Sequence, residues 1–124
     1  MALVQFKDGF KGTYEAGNQT LHVGDGGLVP YDMTYGAVAS CMYATFLDHT
    51  NAKGLKVGDV EIYIDGRKRK EIPTTLEYVN ILMRVGGPES EEALKECMDL
   101  AMRDCSMVQT VYKVSEIEYT FEKM

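Results

Sequence analysis

The sequence predicts an α+β fold, with helices covering antiparallel sheet. Three observations lead there. Several segments alternate apolar and polar residues with period two, the mark of strands half-buried on one face. Two stretches are helical in character, one apolar on every side and one with a single apolar stripe. The elements also segregate in the order βββ-α-ββ-α-β, and do not alternate strand and helix as a parallel α/β sheet requires. A chain of 124 residues suits one domain spanning residues 1–124.

The N-terminal third reads as short strands punctuated by glycine. Residues 3–7 run into Asp8-Gly9, a hairpin turn signal. Residues 10–15 follow and end at Ala16-Gly17-Asn18, and residues 19–23 close at Gly24-Asp25-Gly26-Gly27. Three such segments in succession form an antiparallel meander. After Pro30 the character changes. Asp32 or Thr34 can cap a helix, and from Met33 through Ala44 no charged residue follows. A helix apolar all round is a buried, central one, and its small residues let neighbouring backbone come close. Asp48, His49, Asn51 and Lys53 return it to solvent, and Gly54 is a suitable stop.

Two alternating segments come next. Val60, Ile62 and Ile64 oppose Glu61, Tyr63 and Asp65, and Val79, Ile81, Met83 and Val85 share the corresponding face after a turn over residues 66–73. These are two strands of one hairpin. Gly86-Gly87-Pro88 breaks the chain. Pro88 suits the first position of a helix, whose positive end Glu89, Glu91 and Glu92 favour. Leu94, Cys97, Met98, Ala101 and Met102 recur at helical spacing, and residues 105–112 extend the segment as a short helix. Ile117, Tyr119 and Phe121, alternating with Glu116, Glu118 and Glu122, form the last strand.

A formal net charge of -6 argues against nucleic acid and anionic membrane as partners. The cluster Arg67-Lys68-Arg69-Lys70 reads as a solvated loop tip. No charged start precedes an apolar run, so no signal peptide is expected. The longest uncharged stretch, residues 33–47, is shorter than the ~20 residues of a membrane span. The expected location is cytoplasmic, where Cys41, Cys97 and Cys105 rest as thiols. The glycines at 24–27 lack the following lysine and hydroxyl of a phosphate loop, and the three cysteines and two histidines show no zinc spacing. No cofactor or metal is therefore expected. His22 and His49 read as surface or structural residues. Within one helix His49 stands eight residues beyond Cys41, a rise of about 12 Å, so a local Cys-His dyad is excluded.

Placement must decide between packing and chemistry for the cysteines. Cys97 lies on the apolar stripe and reads as core, where a free cysteine behaves as a small hydrophobe. Cys41 sits in an apolar helix, where burial raises a thiol pKa. It becomes a nucleophile only if a cation or donor reaches it from elsewhere in the fold or from a partner chain. Cys105 precedes a short helix whose amides, pointed at its sulfur, would lower its pKa.

The segment Pro30-Tyr-Asp-Met-Thr-Tyr-Gly-Ala-Val-Ala-Ser-Cys41 resembles the first cysteine helix of the OsmC/Ohr family. Asp104-Cys105-Ser106-Met107-Val108 resembles its second cysteine motif, with Ser106 where proline often stands. The 64-residue separation and the order of elements suit the family over nearly the whole chain. The resemblance implies an OsmC-like intertwined homodimer with sites at the interface. It implies Cys41 as the peroxidatic thiol and Cys105 as the resolving one, acting on a small-molecule, organic hydroperoxide in oxidative stress defence and regenerated by a thiol reductant. Peroxidase members also carry an Arg near the first strand turn and a Glu shortly before the first cysteine. Here Lys7 falls near the Arg position, and Tyr31 aligns with the Glu, with Asp32 beside it. The alternative is a non-catalytic module of the same fold holding an apolar small molecule at the interface.

Overall fold

The computed structural model describes residues 1–124. Its elements run β1 (Ala2–Phe6), β2 (Lys11–Ala16), β3 (Gln19–Gly24), α1 (Pro30–Ala52), β4 (Val60–Lys68), β5 (Leu76–Val85), α2 (Glu91–Asp104), α3 (Ser106–Tyr112) and β6 (Glu116–Lys123). The chain forms two compact units, residues 1–36 and 37–124. No helix is long and apolar enough to cross a membrane.

In the first unit the expected meander forms, with β1, β2 and β3 antiparallel in that order. The first turn places Asp8 at φ 54° and Gly9 at φ 84°, the left-handed pair that a tight hairpin demands. Lys7 donates its amide to the Lys11 carbonyl at 2.9 Å to close that turn. Gly24, at φ 86°, lies against the Phe10 carbonyl so closely that a Cβ there would collide with backbone. Apolar residues stand exposed on both faces of this sheet. Leu3 and Phe6, of opposite parity on β1, are each 50% accessible, and the Phe6 and Phe10 rings stack at 5.8 Å.

Helix α1 begins at Pro30, not at a cap residue 32 or 34, because proline's fixed φ and missing amide suit the first helical position. Asp32 and Thr34 therefore lie inside the helix, and Thr34 donates its hydroxyl to the Pro30 carbonyl at 3.2 Å.

In the second unit α1 buries Val38, Met42, Phe46 and Thr50, every fourth residue. Burial within the chain is thus a stripe and not the whole circumference. The flanking Ala37, Ser40 and Ala44 remain exposed, on a side of the helix that its own chain does not cover. Three ties hold this helix end to α2 and what precedes it. His49 pairs with Asp104, Lys53 pairs with Glu96 at 3.1 Å, and the Lys56 amide donates to Glu89 at 2.8 Å.

The second sheet has the order β4-β5-β6. β4 and β5 form the expected antiparallel hairpin, but β6 runs parallel to β5, so this sheet is mixed. The crossover through α2 and α3 is long enough to return the chain to the same sheet end, which a parallel pair requires. Register aligns Ile62, Met83 and Phe121 across the core face, and Ile64, Ile81 and Tyr119 beside them. On the opposite face Arg84 is bridged by Glu61 at 2.7 Å and Glu122 at 3.2 Å.

α2 starts at Glu91, three residues beyond Pro88. Ser90 takes the cap position and accepts a bond from the Ala93 amide at 3.2 Å, satisfying an orphan donor that proline could not. Its stripe of Leu94, Cys97, Met98, Ala101 and Met102 is fully or almost fully buried. Tyr119 donates its hydroxyl to Asp99 at 2.8 Å, joining sheet to helix, and burial together with that bond pushes its pKa up to about 12. The basic cluster is surface structure satisfied by near neighbours. Arg67 pairs with Glu77 at 3.1 Å and lies over the Tyr78 ring, and Arg69 donates to the Pro73 carbonyl.

Candidate functional site

The site is built where α2 stops. At Cys105 the backbone turns extended (φ -69°, ψ 121°), so this one residue ends α2 and opens α3. Its amide donates to the Ala101 carbonyl at 2.8 Å, and its carbonyl accepts from the Gln109 amide at 3.0 Å. The first residues of α3 cannot bond within their own helix, so their donors are available to a neighbour.

That neighbour is Cys41. On α1 it flanks the buried stripe beside Met42 and stays half-buried. Its sulfur lies 3.8 Å from the Ser106 hydroxyl oxygen. The Met107 amide, the Cys105 thiol, and the Ser106 hydroxyl and amide are the groups around it that favour the thiolate. Together they outweigh partial desolvation and lower the Cys41 pKa. Cys105 has the opposite bias. It is fully buried, and burial pushes its thiol pKa up. The Val108 and Met107 amides offset this only in part, and the adjoining Cys41 sulfur adds to the rise. The expectation that helix-start amides would activate Cys105 is therefore corrected, because desolvation dominates there. The donors instead favour the thiolate of Cys41. The arrangement is an asymmetric pair of neighbouring thiols, one inclined to ionise and one inclined to keep its proton.

A polar tie braces this corner. Asp104, adjacent to Cys105, accepts from His49 of α1 at 2.9 Å and from Arg103 at 2.7 and 2.8 Å. The Arg103 guanidinium, with His49, holds the Asp104 pKa down to about 2, so the carboxylate stays charged across neutral pH. Gln109 of α3 donates to the Met102 carbonyl at 3.0 Å and fixes the angle between α2 and α3. Sequence reasoning gave His49 a surface or structural role but missed its partner, since residues 49 and 104 are brought together only by the tertiary fold.

Cys97 belongs to the core of α2, and burial raises its pKa. Lys7 stands at the β1–β2 turn with Gln5, Asp8, Lys11, Gly12 and Thr13 around a shallow surface groove, and Asp32 lies in the first turn of α1. No three His, Cys, Asp or Glu side chains converge as a metal-ligand set. The differing thiol environments give a direct expectation. Iodoacetamide at neutral pH, followed by peptide mass analysis, should label Cys41 first and the buried Cys97 and Cys105 only slowly, since the thiolate is the reactive form. Equal labelling of all three would contradict the asymmetry.

Residues 23–120 match the family described as OsmC-like protein. No curated protein matches the sequence. Among solved structures, a hypothetical protein from Aquifex aeolicus VF5 superposes with a TM-score of 0.91 at 19% identity, covering 100% of this chain and 95% of that one. An OsmC-like protein from Mycoplasma pneumoniae gives 0.89 at 16% identity, covering 100% and 96%. An organic hydroperoxide resistance protein, OsmC, from Legionella pneumophila gives 0.78 at 12% identity, covering 98% and 96%. These likenesses establish a shared fold.

Proposed function

From the premise that this chain belongs to the OsmC-like protein family, we propose that it is a thiol-dependent reductase of organic hydroperoxides in which Cys41 is the attacking thiol and Cys105 the resolving one. The observation that carries the reading is the seating of the Cys41 sulfur 3.8 Å from Ser106, the residue next to Cys105, where the two thiols are biased in opposite directions. The Cys41 thiolate attacks the terminal peroxide oxygen. The O–O bond breaks, the departing alkoxide takes a proton and leaves as alcohol, and Cys41 becomes a sulfenic acid. The Cys105 sulfur then attacks the Cys41 sulfur. The sulfenic oxygen leaves as water, carrying away the Cys105 proton, and a disulfide forms. A dithiol reductant restores both thiols by exchange, taking up the oxidising equivalents as its own disulfide.

In this reading residues 1–124 form a single OsmC-like domain that works as a homodimer in a reducing compartment, in defence against oxidative stress. The exposed apolar residues on both faces of the β1–β3 sheet support pairing with a second copy. Lys7 and Asp32 take the cation and carboxylate roles that the family resemblance assigns to an Arg and a Glu. A hydroperoxide-resistance protein of the same fold supports the substrate class.

The test is oxidation of the reduced protein by one equivalent of cumene hydroperoxide, followed by disulfide mapping and by a turnover assay with a dithiol reductant. A Cys41–Cys105 bridge and peroxide consumption above a Cys41→Ser control are expected. Three free thiols and no consumption above that control would overturn the reading in favour of a non-catalytic pocket for an apolar ligand.

A further inference from the structure

We propose that the Ser106 hydroxyl is a catalytic donor of this site, holding Cys41 as thiolate through a direct hydrogen bond to its sulfur. The inference rests on the reading of Cys41 as the reacting thiol.

The geometry begins with the break at Cys105. Because that residue is extended and caps α3, Ser106 occupies the first helical position and its side chain projects from the corner where α2 ends. Its hydroxyl oxygen lies 3.8 Å from the Cys41 sulfur, across 65 residues of sequence. Its carbonyl is engaged separately, accepting from the Thr110 hydroxyl at 2.8 Å, which fixes the residue in the helix. A hydroxyl rotates freely and so responds to the state of its partner. Toward a thiol it can donate or accept. Toward a thiolate, which has no proton to give, it can only donate. The bond is therefore strongest when Cys41 is ionised, and charge-assisted bonds exceed neutral ones.

Ser106 is also well placed to join the reaction. It is exposed, and Cys41 beside it half-buried, whereas Cys105 is buried. The lowered Cys41 pKa, to which the Ser106 side chain and amide both contribute, is consistent with this role. These donors carry no net charge. Thiolate stabilisation from this corner therefore does not depend on a bidentate guanidinium, and this chain has no arginine before Arg67.

The experiment compares native protein with Ser106→Ala, Ser106→Thr and Ser106→Pro. The pH midpoint of Cys41 alkylation is read by peptide mass, and peroxide-driven Cys41–Cys105 bridging is followed in the same samples. Alanine removes the hydroxyl and keeps the amide. Proline removes both, at a helical position that tolerates it, so the fold is preserved. The midpoint should rise in Ser106→Ala, with alkylation at neutral pH slowed by about twofold or more. Ser106→Pro should rise further, and Ser106→Thr should return close to native. A midpoint that stays at the native value in Ser106→Ala would overturn the inference, and a shift confined to Ser106→Pro would assign the effect to the amide instead. If bridging persists in that case, the peroxide reading survives without Ser106. A shifted midpoint with no bridging in native protein or any variant would keep the hydroxyl as a donor to the thiolate but remove the peroxide reading, and with it the catalytic role of Ser106.

Discussion

Replacing Cys105 with serine is expected to leave the first encounter with peroxide intact and to abolish the cycle that follows. Cys41 keeps its Met107 and Ser106 donors in that variant, and the serine hydroxyl can stand in for the lost thiol donor. One equivalent of alcohol should therefore appear in a burst. Condensation cannot follow, since oxygen at position 105 forms no disulfide, and Cys41 halts as sulfenic acid or is over-oxidised by excess peroxide. The measurement is dimedone trapping with mass analysis of the Cys41 peptide, alongside steady-state consumption with a protein dithiol reductant. The expected pair of results is a trapped adduct and turnover reduced to background. Native turnover in Cys105→Ser would show that resolution occurs elsewhere.

Phe46→Ala is expected to be the most destabilising single truncation on α1. Phe46 is fully buried on the stripe with Val38, Met42 and Thr50, and its ring stacks at 24° on Tyr43. Removing an enclosed aromatic ring costs about 3–5 kcal/mol, since the lost transfer energy is joined by the cavity left behind. Urea unfolding should show the midpoint falling while the slope is kept. The loss also reaches the site. Cys41 lies on the same helix as the cavity, so its alkylation advantage over Cys97 should shrink. A variant as stable as the native protein would mean that α1 is anchored by something other than this stripe.

Much of the architecture is legible in the sequence, because period-two and helical spacing report which face of an element is covered. The strands of β4, β5 and β6 and the stripe of α2 follow from residues such as Ile62, Ile81, Phe121 and Leu94. Alternation carries no direction, however, and the parallel course of β6 depends on the crossover before it. An apolar helix likewise does not say how much of its circumference its own chain covers, and for α1 it is one stripe. Boundaries follow local chemistry that competes at close range. Ser90 outcompetes Pro88 as the start of α2, while Pro30 displaces Asp32 at α1.

The site is less legible for a physical reason. A thiol pKa is set by donors and burial that arrive through the tertiary fold, so spacing alone could not say which cysteine would ionise more readily. The local argument favoured Cys105, whose own helix start follows it. The assembled corner sends those donors to Cys41 and leaves Cys105 desolvated. Only the resemblance of the two cysteine motifs joined residues 64 positions apart.

The shared cap at Cys105 has a mechanical consequence. With its amide committed to one helix and its carbonyl to the next, the main chain there is clamped from both directions. In the proposed cycle the disulfide would form on a main chain already held at position 105, with torsion about the side-chain bonds supplying the approach. Oxidised and reduced forms would thus differ by a swing of a few atoms, and the helices could pass through many redox rounds without being rebuilt.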